Sequence, residues 1–134
     1  MLGVQVARQL KAAGLAWKPQ LGDRFTIPDR DLDEELFVLS NMTIQVHDRP
    51  EGRIIGFNGT PEWALDDVDL AEALWLPRED QLRELLGGTV RELRRENDTH
   101  LVRIGLLGDE HVFPAATAEE ADAAALLRLL AAAR

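Results

Sequence analysis

The stretch Trp63–Gly88, WALDDVDLAEALWLPREDQLRELLGG, decides how the chain is read. Pro77 is placed as the first residue of a helix, where its missing N–H costs nothing and its fixed φ helps. Glu79 and Asp80 follow in the first turn, where the positive end of the helix dipole favours carboxylates. Leu82, Leu85 and Leu86 recur at helical spacing and form one apolar stripe. Gly87 and Gly88 supply the stop. Upstream, Leu70, Ala71, Ala73, Leu74 and Trp75 read as a shorter helix or turn, and Trp63–Leu65 as one helical turn after Pro61. Trp63 and Trp75 are large apolar side chains of the kind that bury, so both are read as core anchors that join a sheet to helices.

Outward from this stretch the signals alternate. Leu2–Ala13 is a first helix, with Leu2, Val6, Leu10 and Ala13 on one face and Gly14 as its stop. Trp17, Pro19 and Gly22 mark a turn-rich link. Arg24–Ile27 is a short strand ended by Pro28, the acidic run Asp29–Glu35 a loop, and Leu36–Ser40 a second strand. Met42–Asp48 alternates cleanly, with Met42, Ile44 and Val46 on one side and Thr43, Gln45 and His47 on the other. It turns at Asp48–Gly52 and returns along Arg53–Asn58 as a hairpin. Beyond Gly88, Thr89–Arg95 admits strand or helix, since Val90 and Leu93 have helical spacing, and the glycines before it with Asn97-Asp98 after it favour one arm of a hairpin; Leu101–Leu107 is read as a strand ended by Gly108, and Glu110–Phe113 as a strand ended by Pro114. Thr117 stands three residues before Glu120, the spacing of a capping box. Ala123, Leu126, Leu127 and Leu130 then give the stripe of a last helix, which buries against a sheet.

With 134 residues the chain suits one domain around one core, spanning residues 1–134. The expected fold is α+β: an antiparallel sheet of about five to seven short strands packed against an N-terminal helix, a central helical stretch and a C-terminal helix. No apolar run is long enough for a bilayer, and Gln5, Arg8 and Gln9 interrupt the only leader-like stretch, so no membrane partner is expected. The chain has no cysteine, hence no disulfide framework and no thiolate chemistry, and a cytoplasmic location is expected. A net charge of −9 argues against nucleic acid, because phosphate repels it, unless Arg91, Arg94, Arg95 and Arg103 gather on one face. The acids cluster at Asp29–Glu35, at Glu62–Glu72 and at Asp109–Asp122, a pattern of solubility or of a surface that docks a basic partner.

Catalytic patterns fail on inspection. Asp29, Asp31 and Asp33 have the opening spacing of a calcium loop, but Glu34 stands where glycine is needed and Ser40 where a bidentate Glu is needed. Arg91–Glu96 matches a Nudix box only in part, since Arg95 replaces a metal-binding acid. His47-Asp48 lacks the further His and Asp residues of an HD phosphohydrolase, and no pair of histidines has a zinc spacing. Ser40 is the only serine, without a nucleophile elbow, and tyrosine is absent. No catalytic residue, metal or cofactor is therefore expected. The binding candidates are His47, with Thr43 and Gln45 on the same strand face, and Asn58, Trp63 and Trp75.

The segments Ile27-Pro-Asp-Arg-Asp31, Phe37-Val-Leu-Ser40, Gly56-Phe-Asn-Gly-Thr60, Trp63-Ala-Leu65 and Leu74-Trp-Leu-Pro-Arg-Glu-Asp-Gln-Leu-Arg83 carry a resemblance. Together they are similar to short bacterial proteins, mostly actinobacterial, some labelled pilus assembly protein CpaE. The likeness covers most of the chain and is closest from Asp23 to Leu86. It implies no activity and no site residue. The large ATPases of that name need a P-loop lysine, and no lysine follows Lys18 here. The resulting expectation is a non-catalytic module that binds another protein or itself. The alternative is a small-molecule-binding protein or minor enzyme with its pocket between the sheet and residues 63–88.

Overall fold

The computed structural model describes residues 1–28, 32–40, 44–50, 52–57 and 67–133. Helix α1 spans Val4–Ala12, and strands β1, β2, β3 and β4 span Arg24–Ile27, Leu32–Val38, Ile44–Arg49 and Gly52–Phe57. Strand β5 is Asp67–Asp69, a 3-10 turn covers Leu70–Glu72, and β6 is Leu74–Trp75. Helix α2 is Glu79–Leu86, strands β7, β8 and β9 are Val90–Glu96, Thr99–Leu106 and Asp109–Ala115, and helix α3 is Ala118–Ala132. The α+β class and the antiparallel pairing are as expected. The single large sheet is not. Among the described residues the strands form three separate three-stranded sheets, ordered β2-β1-β6, β3-β4-β5 and β7-β8-β9. No helix among these residues is long and apolar enough to cross a membrane.

The chain divides into two compact units, Met1–Ala16 with Pro77–Arg134, and Trp17–Leu76. The stretch read as the organiser is cut between Leu76 and Pro77, so its tryptophans and its leucine helix belong to different units. Trp63 and its helical turn lie outside the described residues.

In the unit 17–76, Phe25, Ile27, Leu39 and Ala73 form a buried cluster against which Trp17, Phe37 and Val46 pack. Trp75, read as an anchor between sheet and helices, is half-buried within this unit: it stands opposite Phe25 across the β1–β6 pair, and its ring stacks on Trp17 with centroids 6.4 Å apart. Of the helix or turn expected over Leu70–Trp75 the turn forms, a 3-10 turn at Leu70–Glu72, while Leu74–Trp75 is strand; Ala73, Leu74 and Leu76 are all buried, which suits a strand more than a one-sided helix. The acidic run read as a loop becomes strand from Leu32 onward. Strand β2 lies at the edge of its sheet, where charged residues are tolerated and protect against stray pairing.

The unit 1–16 with 77–134 is built around α3, which packs against α1, α2, β8 and β9. Its alanines Ala121, Ala123 and Ala125 are buried, and such short side chains let neighbours approach from several sides. Thr117 caps the helix through its hydroxyl, which accepts from the Glu120 N–H at 3.1 Å, so the Thr117 half of the expected box forms. In α2, Pro77 stands before the cap and not inside the first turn. Arg78 is the cap, its backbone N–H donating to Gln81 Oε1 at 2.9 Å. Leu82 and Leu86 bury fully, whereas Leu85 stays 43% exposed, so the stripe is narrower than its spacing implies. Gly87 takes φ 57 and ψ −137, a conformation open to glycine, and ends the helix. The sheet β7-β8-β9 is a meander in which Leu93, Val102 and Phe113 face one another across the strands, as do Arg95, His100 and Ala115. Strand β9 runs through Pro114, where an edge position makes its missing N–H harmless.

Candidate functional site

A cleft of about 280 Å³ opens where α2 and α3 leave the β7 side of the meander uncovered. Glu79 and Arg83 reach it from α2, where their four-residue separation puts them on one helix face and lets them pair. Leu93 and Val102 form its apolar wall, and Leu93 remains 41% exposed because β7 is an edge strand. Arg94, Arg95 and His100 line the end nearest the β7–β8 turn. From α3 come Ala118 and Asp122, one helical turn apart.

Asp122 is the unusual member. Its residue exposure is 0%, and neither Oδ1 nor Oδ2 has a hydrogen-bond partner. Buried carboxylates normally satisfy their oxygens, since leaving a charged group bare is costly. Desolvation pushes its pKa up to about 6; Arg83 pulls it down, and Glu79 and Glu119 push it further up. A carboxylate of that kind ionises close to neutral pH and can hold an ammonium group or exchange a proton. No hydroxyl or thiol side chain stands among the lining residues to serve as a nucleophile.

The remaining charges of the cleft are largely committed. Arg83 pairs with Glu79, and Arg94 pairs with Glu96 at 3.1 Å and Glu92 at 3.7 Å. Arg95 donates from Nε to the Asn97 carbonyl at 3.0 Å and, among the described residues, meets no carboxylate.

The residues singled out in the sequence lie elsewhere. His47 sits in β3 opposite Ile54, and Trp75 in β6, both in the unit 17–76. Asn58 and Trp63, like Thr43, lie outside the described residues. Trp75 Nε1 and Arg24 Nε are buried without partners on neighbouring strands of that unit. Asp122 was legible in principle. It precedes Leu126 by four residues and so falls on a face that buries, but within Glu119-Glu120-Ala-Asp122 it reads as one more solvated acid. No family model matches the chain, and neither the curated proteins nor the solved structures contain a match to it.

Proposed function

We propose that this chain is a non-catalytic binding protein that takes up a small ligand in the cleft between α2, α3 and the β7–β8 hairpin. The observation that carries the reading is Asp122: a fully buried carboxylate with no internal partner, on the wall of an open cleft. A group left unsatisfied by its own fold is a group available to something else. At about 280 Å³ the cleft falls just below the roughly 300–1,000 Å³ of ordinary ligand pockets, which suits a small molecule. The cytoplasm is the proposed setting, in keeping with a cysteine-free sequence.

Nucleic acid suits this surface poorly. Arg94 and Arg103 are paired with Glu92, Glu96 and Glu110, and strand alternation sets Arg95 apart from Arg94. A strip neutralised in this manner offers phosphate little. The interaction-module reading draws on a different observation: Leu21, Leu36 and Val38 are exposed apolar side chains in the unit 17–76. It predicts self-association, which sedimentation velocity over a concentration series detects.

The ligand reading is tested by a fragment library screened against the isotopically labelled full chain by NMR. Amide shifts should concentrate on residues 79–83, 93–95, 100–102 and 118–122. Hits confined to residues 17–76, or no hits at all, would defeat the proposal.

A further inference from the structure

Resting on that reading, we infer that the cleft recognises a small zwitterion, a molecule carrying one ammonium and one carboxylate. The argument is a cancellation of charges. Of the ionic groups on the cleft wall, Glu79 and Arg83 satisfy each other, and Arg94 is held by Glu92 and Glu96. Two remain without an ion pair among the described residues: the Asp122 carboxylate, which feels the charge of Arg83 but accepts no hydrogen bond, and the Arg95 guanidinium, which gives one bond to a backbone carbonyl. They come from different elements, α3 and β7.

A simple cation would satisfy Asp122 but would enter a cleft that also holds three arginines. A simple anion would satisfy Arg95 but would leave Asp122 bare. A zwitterion meets both, with the ammonium donating to Asp122 and the carboxylate accepting from the free N–H groups of Arg95, each a charge-assisted bond. No group of three His, Asp or Glu side chains among the described residues is arranged to hold a metal ion. Leu93 and Val102, the apolar part of the wall, suit a short methylene spacer.

The test uses the full chain and a ladder of unbranched amino acids: glycine, β-alanine, γ-aminobutyrate and ε-aminocaproate. Methylammonium and acetate are the single-charge controls. Binding is followed by NMR titration. At least one rung should bind at the cleft at least about tenfold more tightly than either control, and Asp122→Asn and Arg95→Gln should each weaken that rung by about tenfold or more. Arg95 is exposed, so its replacement leaves the fold intact, and retained amide spectra verify this for both variants. If no rung outperforms the controls, or if Asp122→Asn binds as the parent does, the zwitterion assignment is overturned. Fragments of other chemistry that still occupy the cleft would then leave the binding-protein reading standing. A cleft silent to both ladder and library ends both.

Discussion

Asp23 and Asp122 are both buried aspartates, and they differ in what surrounds them. Asp23 Oδ2 accepts from Trp17 Nε1 and from the Gln20 N–H, each at 2.9 Å, so burial there costs little and fixes the loop. Asp122 has no such donors, and desolvation lifts its pKa from 3.8 to about 6, with Glu79 and Glu119 adding to the rise and Arg83 opposing it. Because the folded-state value is the higher one, the native state binds the proton more tightly than the unfolded chain. Below about pH 4 Asp122 is protonated in both states and costs nothing; as pH rises through 6 it must ionise in place, and stability falls by about 3 kcal/mol. Asp122→Asn does not titrate. The stability difference between variant and parent, from urea unfolding at a series of pH values, should therefore grow in favour of the variant by about that amount between pH 4 and 7. Other acids titrate alike in both proteins and cancel. A flat difference curve would mean that Asp122 is solvated or paired. Such a cost, carried by one residue on a cleft wall, is the usual mark of a group kept for binding and not for stability.

At the level of the element, the β8–β9 hairpin turns on Leu107 and Gly108, whose φ values are 54° and 85°. Positive φ at both positions is the pattern of the tight turn that favours Asn-Gly, and an ordinary side chain there pays for the close approach of its Cβ to the backbone. Leu107 recovers nothing by packing, since it is 85% exposed. Leu107→Asn should therefore stabilise the protein by about 0.5–1 kcal/mol, read as a higher melting temperature with unchanged ligand shifts at the cleft. The neighbouring β7–β8 turn already has Asn97 at φ 55. These local features explain what the sequence made legible. Strands β1, β3, β4, β8 and β9 were visible because alternation and turn residues are local, and α3 because Thr117 and its leucines are; β7 was read as strand only through its flanking turn residues, since Val90 and Leu93 have helical spacing. The first half of the edge strand β2 was hidden by its acids, although Leu36–Ser40 was read as strand, and β6 was hidden by a helix-like spacing of alanine and leucine. The division into three sheets was invisible because it depends on which distant strands find each other, and pattern within a strand does not encode that. The cleft was invisible for the same reason: Asp122, Arg95 and Glu79 meet only once α3 lies over the meander.

For the molecule as a whole, the open question is how cooperatively it unfolds. A chain of this length suggests one domain, yet each of the two units encloses its own buried residues: Phe25, Ile27, Leu39 and Ala73 in 17–76, and Leu10, Leu82, Val102, Ile104 and Leu126 in the rest. The composition happens to label the units separately. All three tryptophans fall within 17–76, whereas α1, α2 and α3 all fall in the other unit. Tryptophan fluorescence thus reports one unit, and helical circular dichroism at 222 nm mainly the other. Phe25 is fully buried, with ring centroids 5.5 Å from Trp17 and 5.4 Å from Phe37. Truncating it to alanine removes those contacts and leaves a cavity, a loss of about 3–5 kcal/mol. If the units unfold independently, Phe25→Ala shifts the fluorescence midpoint in denaturant to a much lower concentration and leaves the dichroism midpoint where it was. If they share one transition, both midpoints move together by the same amount. We expect the first outcome, because the helices owe their burial to α3 and the meander, both of which lie outside residues 17–76. In that case the cleft keeps its shape and its ligand when the other unit is destabilised, and ligand titration of Phe25→Ala would show an unchanged affinity.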